Sequence, residues 1–412
     1  MSALALAGVS RDDVSVATFF STTEENILSY RLGRQQLYPR LKVGDVASVI
    51  ANLGLPSPSQ RELMIATAAR IKEVVGPEME QALYEERTLA QSYSFKLALR
   101  LYWHSDIHLF TRALLPITEN ELRYYLQGSS QLLRTLDFRA EALIELLQQA
   151  LVIVLEEKPL VEQELLVRLG EVVESRLDAA GRERWHWPDV TQEGRTIGEV
   201  LLEQLFPLLS WTGNLSKVDF QQKGSLWTYR YLPFDSEVLR ASEKELVHRF
   251  LRLHGPATLA DFEAYLGAGV EQARRLWESA AEELVLVESG NTSGYLAEQD
   301  LPLLQEENFA EGVRLVSHSD PWLSLPEQCA LGYGKQVYNY FFRASEPGPG
   351  MVLFDGQCVA GWRWRESGSK LYVTIEDIGL SLGRVSISEL EAEVEHLAQT
   401  LQIELGGLTW PR

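Results

Sequence analysis

The chain has 412 residues, of which 45% are hydrophobic and 23% charged. This composition is typical of a globular protein, and the length predicts about two to four domains. Two cysteines, Cys329 and Cys358, are too few for a disulfide framework or a cysteine-based zinc site. The sequence contains no run of about 18 apolar residues that could span a membrane. Its first residues lack the basic flank that precedes the apolar part of a signal peptide. We therefore expect a cytoplasmic protein, and we expect it to be monomeric.

The negative net charge disfavours extensive contact with nucleic acid. Thirty-eight basic and 58 acidic residues give −20, so the chain as a whole should repel a polyanion. The deficit is uneven: residues 1–120 carry 12 basic and 13 acidic side chains, a net −1. The net charge is −6 over residues 121–240, −6 over residues 241–300 and −7 over residues 301–412. A local basic groove is therefore expected in the first 120 residues if it exists at all.

The first half of the chain is predicted to be mainly helical. A segment with two prolines, Gly54–Ser59, interrupts the helical pattern because proline excludes a regular helix there. Alternating leucines and the pair Ile107 and Leu109 favour a strand or wing over residues 95–109. Apolar spacing and capping residues predict helices over Thr22–Leu37, Asp45–Leu53, Gln60–Val75, Thr118–Leu136 and Ala140–Leu155.

A helix-opening pattern occurs twice, at Lys158–Leu165 and at Gly255–Phe262. In the second copy Thr258 is a predicted N-cap with Asp261 three residues later. A helix over Val270–Glu282 and a hairpin formed by Leu284–Val287 and Tyr295–Ala297 follow. Helix, turn, helix, helix and hairpin is the order of a winged helix. Residues 141–234 fit the same order with a long wing formed by Leu208–Trp211 and Ser225–Leu232, and residues 22–115 fit a third copy.

The last hundred residues favour strands. Residues 351–362 form two predicted strands around an Asp355-Gly356 turn, Leu371–Glu376 is a third strand, and Ser388–Leu401 is a helix. The fold class is therefore mainly α with β wings, comprising three tandem winged helices and a C-terminal β-rich α+β domain. The predicted units are winged helices over residues 1–120, 121–238 (with the long hairpin) and 239–300, and the β-rich domain over residues 301–412.

Three segments together resemble a known family. They are Ser319–Leu323, the Leu353–Trp362 hairpin, and His254–Thr258 followed by Asp261 and Phe262. They are similar to segments of the tandem winged-helix family that includes bacterial DNA glycosylases for bulky or crosslinked alkylated purines, of the azinomycin-resistance type. The resemblance extends over most of the chain and implies a C-shaped arrangement of winged helices with a β-rich domain. It also suggests a role in antibiotic biosynthesis or self-resistance.

The catalytic signature of that family departs in this sequence. The family has Gly-Leu-Gln-Ala-Gln followed by an arginine that ends a helix. Here Gly54-Leu55 leads to Pro56-Ser57-Pro58, with Arg70 at the matching distance. The resemblance implies that the two glutamine amides orient the attacking water, and proline has no side-chain donor or acceptor. The family's Arg-Gly-Thr-Leu-His-Leu segment becomes residues 104–109, which lose the arginine and gain an acid.

His104, Asp106 and His108 are the candidate catalytic residues. On a strand all three would project from the same face, where they could bind a metal or supply a histidine base oriented by a carboxylate. The alternative is that His108 is a core histidine and the other two end a hairpin. No phosphate-binding glycine loop or serine-hydrolase elbow is present. We expect no cofactor and no metal.

A ligand cleft is expected between the Pro56–Arg61 loop, residues 104–108 and the long wing. Arginines would supply local positive charge, and aromatic side chains of the wing would stack on a base or a planar ligand. The alternative is that these aromatics fix the hairpin to its neighbour. The candidate cleft residues are Ser57, Arg61, Arg70, Arg100, Trp211, Trp227 and Tyr229.

Three functions remain open from the sequence. The chain could be a divergent glycosylase relative that lacks the standard activity and binds DNA or a small-molecule ligand. It could instead be an enzyme that acts on a natural product, or a glycosylase that uses other residues. The last helix of the third unit, with two arginines against four glutamates over residues 271–283, does not favour reading of the DNA major groove.

Overall fold

A computed structural model describes residues 19–55, 59–73, 81, 89–156, 158–218, 226–233, 235–290, 292–306, 310–325, 334–342 and 348–411. The predicted Pro56-Ser57-Pro58 segment lies outside these residues, as does most of residues 74–88. None of the described helices is both long enough and apolar enough to cross a bilayer.

Helices dominate the described part up to residue 280, and two more described α-helices, α14 and α15 below, follow it. They are α1 (Glu24–Arg34), α2 (Val46–Leu53), α3 (Gln60–Ala68), α4 (Ile107–Phe110), α5 (Glu119–Tyr125), α6 (Ser130–Leu136), α7 (Ala140–Glu156), α8 (Glu162–Ser175), α9 (Ala179–Trp185), α10 (Ile197–Ser210), α11 (Ser236–His254), α12 (Leu259–Leu266), α13 (Val270–Glu278), α14 (Gly334–Phe342) and α15 (Ile387–Thr400). Short 3-10 turns connect several of them, among them His104–Asp106 and Arg112–Leu114.

The strands are β1 (Phe19–Ser21), β2 (Leu89–Tyr93), β3 (Leu99–Trp103), β4 (Leu160–Val161), β5 (Leu215–Val218), β6 (Leu226–Tyr229), β7 (Leu284–Ser289), β8 (Thr292–Ala297), β9 (Val313–Val316), β10 (Gly350–Phe354), β11 (Gln357–Ser367), β12 (Lys370–Glu376) and β13 (Glu404–Thr409). They form three sheets with the orders β1-β7-β8, β3-β2-β5-β6-β4 and β13-β12-β11-β10-β9. In the second sheet, Gln91 of β2 pairs with Lys217 of β5, which joins the first predicted wing to the second.

Several predicted elements are confirmed. Thr258 and Asp261 form a reciprocal capping box at the start of α12, and α13 and the β7–β8 hairpin follow in the predicted order. In the C-terminal sheet, Asp355 and Gly356 both have positive φ, 48° and 77°, as a two-residue hairpin turn of this type requires. Strand β12 and helix α15 match their predictions to within one residue at each end.

Three predicted elements are wrong. The helix predicted over Gln60–Val75 ends at Ala68, because Leu41 and Ile71 form a parallel bridge in which Leu41 N donates to Arg70 O at 2.8 Å. Residues 208–210 end helix α10 and are not a strand, since buried apolar residues line this helix up to Ser210. The helix predicted over Thr118–Leu136 is two helices separated by a turn at residues 126–129.

The hydrophobic core crosses the predicted boundary between the first unit and the C-terminal domain. Helices α2 and α3 bury Val49, Ile50 and Ile65 in the same cluster as Val352, Trp362 and Leu390 of the C-terminal sheet and α15. A second, larger hydrophobic cluster consists of buried residues that lie between Ile27 and Leu325 in the sequence. The C-terminal sheet and α15 therefore help to fix the position of helix α3.

One buried ion pair connects these parts. The Arg70 guanidinium donates to both carboxylate oxygens of Asp320, at 2.7 and 2.8 Å, and both side chains are 0% exposed. Arg70 also donates to the carbonyls of Gln35 and Ala66, and Asp320 accepts from Trp322 N. Each polar atom that burial removes from water thus has a replacement partner, which is what makes a buried charge tolerable.

Removal of one partner of this pair should unfold the protein at much lower denaturant. Asp320→Ala leaves a buried guanidinium without its counter-charge, and we expect a loss of about 3–5 kcal/mol in the free energy of unfolding. The control is Glu306→Ala at the surface pair Arg34–Glu306, whose side chains are 29% and 52% exposed, for which about 0–1 kcal/mol is expected. Urea denaturation curves compare the two, and equal effects would refute a structural role for Asp320.

His254 is the most deeply buried histidine of the described residues. It packs between Phe250 and Tyr265, and its Nδ1 lies 3.4 Å from Gln35 Nε2. Burial, together with Arg31, Arg100 and Lys96, lowers its pKa to about 3. His254 is therefore neutral in the folded protein, with Nδ1 as the acceptor.

The lowered pKa of His254 predicts acid lability. Because the folded pKa lies below the unfolded value of about 6.5, His254 contributes its full stability above pH 6.5 and loses it as the pH falls towards 3. We expect a contribution of up to about 1.4 kcal/mol per pH unit in that window. His254→Asn, which retains an acceptor but does not titrate, should flatten this part of the stability profile. An unchanged slope would show that other groups dominate.

Candidate functional site

The predicted strand over residues 104–108 is wrong, and this changes how the candidate residues are arranged. Strand β3 ends at Trp103, and His104–Asp106 form a 3-10 turn that leads into α4. The side chains therefore do not alternate on one face of a strand. Asp106 lies 3.4 Å from Arg249 of α11, and within the described residues no hydrogen bond joins Asp106 to either histidine.

His104 instead contacts the end of the second hairpin. Its Nε2 lies 2.9 Å from Nη1 of Arg230, the residue after β6. A guanidinium has only donors, so His104 Nε2 accepts and the imidazole is neutral in this contact. Burial and then the charge of Arg230 lower the pKa of His104 below its usual range. His104 is therefore largely uncharged at neutral pH.

Arg112 fixes this region by bonds to backbone carbonyls. Its guanidinium donates to Thr212 O at 2.6 Å, before β5, and to Pro233 O at 2.6 Å, after β6. It also donates to Leu232 O. Burial lowers the pKa of Arg112, and the phenols of Tyr231 and Tyr229 act against this shift from nearby. Both strand ends of the hairpin are thus tied to one side chain.

His108 lies in the same neighbourhood. Burial and Arg112 lower its pKa, and Asp235 acts in the opposite direction. Tyr231 is 71% exposed, so one aromatic face is open to solvent. We call the set His104, His108, Arg112, Tyr229, Arg230 and Tyr231 the wing-base patch. It brings together three of the predicted site residues, His104, His108 and Tyr229.

The three predicted cleft arginines are engaged elsewhere. Arg70 is fully buried against Asp320, and Arg100 is 6% exposed, donates to Gly54 O at 2.9 Å and lies over the Phe95 ring at 3.9 Å. Arg61 pairs with Glu366 at 2.9 Å and donates to Leu401 O. The expectation that Arg70 and Arg100 supply positive charge to a ligand is therefore wrong, because their guanidiniums are buried. Arg61 is paired with Glu366, but its side chain is 37% exposed, and its role stays a prediction.

Two of the three predicted aromatic residues belong to the core. Trp227 is 0% exposed, is stacked on Tyr93 at 5.7 Å and donates from Nε1 to Glu162 at 2.9 Å. Trp211 is 1% exposed and meets Tyr125 edge to face. For these two, the alternative that the aromatics fix the hairpin to its neighbour describes the structure. Ser57 lies outside the described residues.

Comparison with known proteins identifies the family. The model of the family "DNA glycosylase AlkZ-like" matches residues 53–400. The chain belongs to the AlkZ-like DNA glycosylase family. Its fold is similar to that of Streptomyces sahachiroi DNA glycosylase AlkZ, with a TM-score of 0.71 and 17% sequence identity over 94% of this chain and 99% of that one. A comparison with curated proteins finds no match.

In this AlkZ-like chain helix α13 is packed against other protein segments. Arg275 of α13 lies 2.9 Å from buried Glu121 and also pairs with Glu243. Gln272 Nε2 donates to Leu114 O at 2.7 Å, and its Oε1 accepts from Tyr125. Helix α13 therefore directs Gln272 and Arg275 towards other protein segments, whereas Arg274 of the same helix is exposed.

Sequence reasoning missed Arg112, Arg230 and Tyr231. The only local signal is the alternation of aromatic and basic residues in Tyr229-Arg230-Tyr231 within the predicted strand Ser225–Leu232, which is typical of a surface that contacts nucleic acid. Arg112 lies a hundred residues from Thr212, so its role is not readable from spacing. Within the described residues no three His, Cys, Asp or Glu side chains are grouped as metal ligands would be.

The two histidines of the patch should be dispensable for folding. His104 and His108 are both partly exposed, so His104→Ala and His108→Ala should each lower stability by no more than about 1 kcal/mol. Arg112→Ala should cost more, about 2–3 kcal/mol, because it leaves three carbonyls without their charged donor. Thermal unfolding of the three variants measures this. A collapse of the histidine variants would make them core residues.

Proposed function

We propose that this chain binds nucleic acid through the wing-base patch and does not excise alkylated purines by the glutamine-pair mechanism of its family. The proposal that the chain binds nucleic acid rests on the composition of the patch. On a chain whose net charge is −20, the patch places guanidiniums next to an exposed phenol. Family membership over residues 53–400 supports the comparison of motifs on which the second half depends.

The absence of hydrolysis follows from side-chain chemistry. The matched segment begins at Leu53 and includes residues 54–58. Because Gly54-Leu55-Pro56-Ser57-Pro58 resembles the family's Gly-Leu-Gln-Ala-Gln segment, we take Pro56 and Pro58 to stand at the positions of the two glutamines. A glutamine amide can both accept from a water and donate to it, whereas a proline side chain can do neither. Without side chains that orient the water, attack on the glycosidic carbon loses the positioning of its nucleophile, and a misplacement of about 1 Å can cost roughly 10²-fold in rate.

The fold that we propose for binding is a set of three tandem winged helices with a C-terminal β-rich domain. The order α11, α12, α13 and the β7–β8 hairpin supports the third unit. The β2–β3 and β5–β6 hairpins support the wings of the first two units. The wing-base patch combines residues from both hairpins of one sheet, since His104 follows β3 and Arg230 follows β6.

Binding of this kind should have little dependence on base sequence. A winged helix usually reads bases through its third helix, but the polar side chains Gln272 and Arg275 of α13 are committed to intramolecular partners. The patch offers a guanidinium for phosphate and an exposed ring for stacking, and neither group distinguishes bases strongly. We therefore expect contacts to the backbone and to base faces.

A salt titration tests the binding proposal. Wild-type protein should bind a labelled 20-base-pair duplex with an affinity that falls steeply between about 50 and 200 mM salt. Arg230→Gln should weaken binding and reduce the slope of log affinity against log salt by about one. Arg274→Gln, which removes an exposed cation from α13, is the matched control and should change neither.

The outcome separates the two remaining functions. Equal losses in the Arg230 and Arg274 variants would show general charge attraction and would count against the patch. Complete absence of duplex binding at low salt would reject the nucleic-acid function. That result would favour the alternative, an enzyme or binding protein for a small natural product, which the acidic surface would not repel.

A further inference from the structure

The contact between His104 and Arg230 is chemically unusual. Two nitrogen-rich groups that can both be cations lie 2.9 Å apart, joined by a single hydrogen bond from Nη1 to Nε2. The contact is favourable only while His104 is neutral, because a protonated imidazole would turn its Nε2 into a second donor. Among the described residues no carboxylate lies within ion-pair distance of Arg230, which is exposed. The pair therefore lacks the anion that usually accompanies such groups.

The charges around the pair come from four elements. On its own turn, Asp106 is already held by Arg249 of α11 at 3.4 Å. From α4 and the following turn come His108 and Arg112. At the start of α11, Asp235 accepts from the backbone N–H groups of Glu237 and Val238, at 2.8 and 3.2 Å.

Both nearby carboxylates are thus engaged by donors. Arg249 lies 3.4 Å from Asp106 and also pairs with Glu245 of α11 at 3.5 Å. The backbone amides at the N-terminus of α11 stabilise the negative charge of Asp235, whose pKa they lower. Arg112 donates its hydrogen bonds to backbone carbonyls. Among the described residues no carboxylate pairs with its positive charge. The remaining field at His104 and Arg230 is positive, which favours a bound anion.

We infer that His104 and Arg230 form a proton-coupled binding site for a phosphate-class anion. In the free protein Arg230 donates to neutral His104. When an anion binds, Arg230 turns its donors to the anion oxygens, and His104 takes up one proton and donates from Nε2. One proton and one anion enter together, so the net charge added to the site is that of the anion plus one.

The pH dependence follows from the sign of each shift. In the free protein, burial and Arg230 lower the pKa of His104, and an anion beside the ring would raise it. Binding therefore takes up a proton at pH values between the free and the bound pKa. Affinity should increase as the pH falls through that window, by at most tenfold per pH unit for one proton.

The inference rests on the proposed function only for the source of the phosphate. The same chemistry would hold a phosphodiester of a nucleic acid strand or the phosphate of a free nucleotide. The exposed Tyr231, the next residue after Arg230, provides a face on which an attached base can stack. A stacked base favours a nucleotide unit over inorganic phosphate in either case.

The experiment measures binding by full-length protein at about pH 6 and pH 8 and at constant ionic strength. The probes are inorganic phosphate, a deoxynucleoside 5′-monophosphate and a labelled single-stranded 12-mer. Calorimetry of the monophosphate in two buffers of different ionisation enthalpy counts the protons taken up. The variants are His104→Gln, which retains an acceptor for Arg230 but does not titrate, Arg230→Gln, and the control Arg182→Gln at another exposed site.

We expect wild type and the Arg182 variant to bind the monophosphate and the 12-mer at least about fivefold more tightly at pH 6 than at pH 8, within the tenfold-per-unit limit. His104→Gln should bind the 12-mer, whose phosphodiesters do not titrate in this range, with no pH dependence. It should bind the monophosphate with only the pH dependence and proton exchange that the ligand's own second ionisation, near about pH 6, imposes. Arg230→Gln should lose most affinity at both pH values. Equal pH dependence in wild type and His104→Gln would overturn the inference, as would Arg230→Gln binding with wild-type affinity.

The probes also separate this inference from the proposed function. Binding of the monophosphate with proton uptake, but no binding of the 12-mer, would leave the anion site standing and reject nucleic acid as its source. Binding of the 12-mer without proton uptake and without sensitivity to His104 would reject the coupled site while the proposed function stands. If only inorganic phosphate binds, the stacking role of Tyr231 is refuted.

Discussion

The structure depends on the buried ion pair between Arg70 and Asp320. Two charges removed completely from water are stable only with near-complete hydrogen bonding, and the pair meets this with two carbonyl acceptors and one backbone donor. These bonds connect the end of α3, the residue after α1 and the turn before Trp322. Because any displacement would expose an unpaired charge to an apolar interior, the relative position of these three segments is strongly constrained.

A second arginine applies a similar constraint just before the Pro56-Ser57-Pro58 segment. Arg100 donates to Gly54 O, and Leu101 N donates to Leu55 O at 3.1 Å. Arg100 thus holds the chain that enters Pro56-Ser57-Pro58, and Arg70 holds the end of the helix that follows. The arginines that sequence reasoning assigned to a ligand act as scaffold, and the positive charge near the candidate site comes from Arg112 and Arg230.

The parts of the fold that the sequence predicted are those in which one local interaction decides the conformation. The Asp355-Gly356 turn and the Thr258–Asp261 capping box are set by residues adjacent in the chain. The strand predicted over residues 104–109 is wrong because the alternation of Ile107 and Leu109 fits a strand as well as a short helix. Packing of this segment against α11 selects the helix. The sequence singled out His104, His108 and Tyr229 of the wing-base patch. Arg230 meets His104 across 126 positions of sequence, a separation that no spacing pattern reveals.

The central claim is that this AlkZ-like chain has lost the excision chemistry of its family and has retained a nucleic-acid site. A single-turnover assay on duplex DNA containing an N7-alkylated purine tests it most directly, with protein in excess and release of the free base as the signal. The account predicts release no faster than from DNA alone, even under conditions in which the duplex is bound. Release whose rate increases with protein concentration and disappears on heat denaturation would contradict it, and would show that a glycosylase mechanism operates without the glutamine pair.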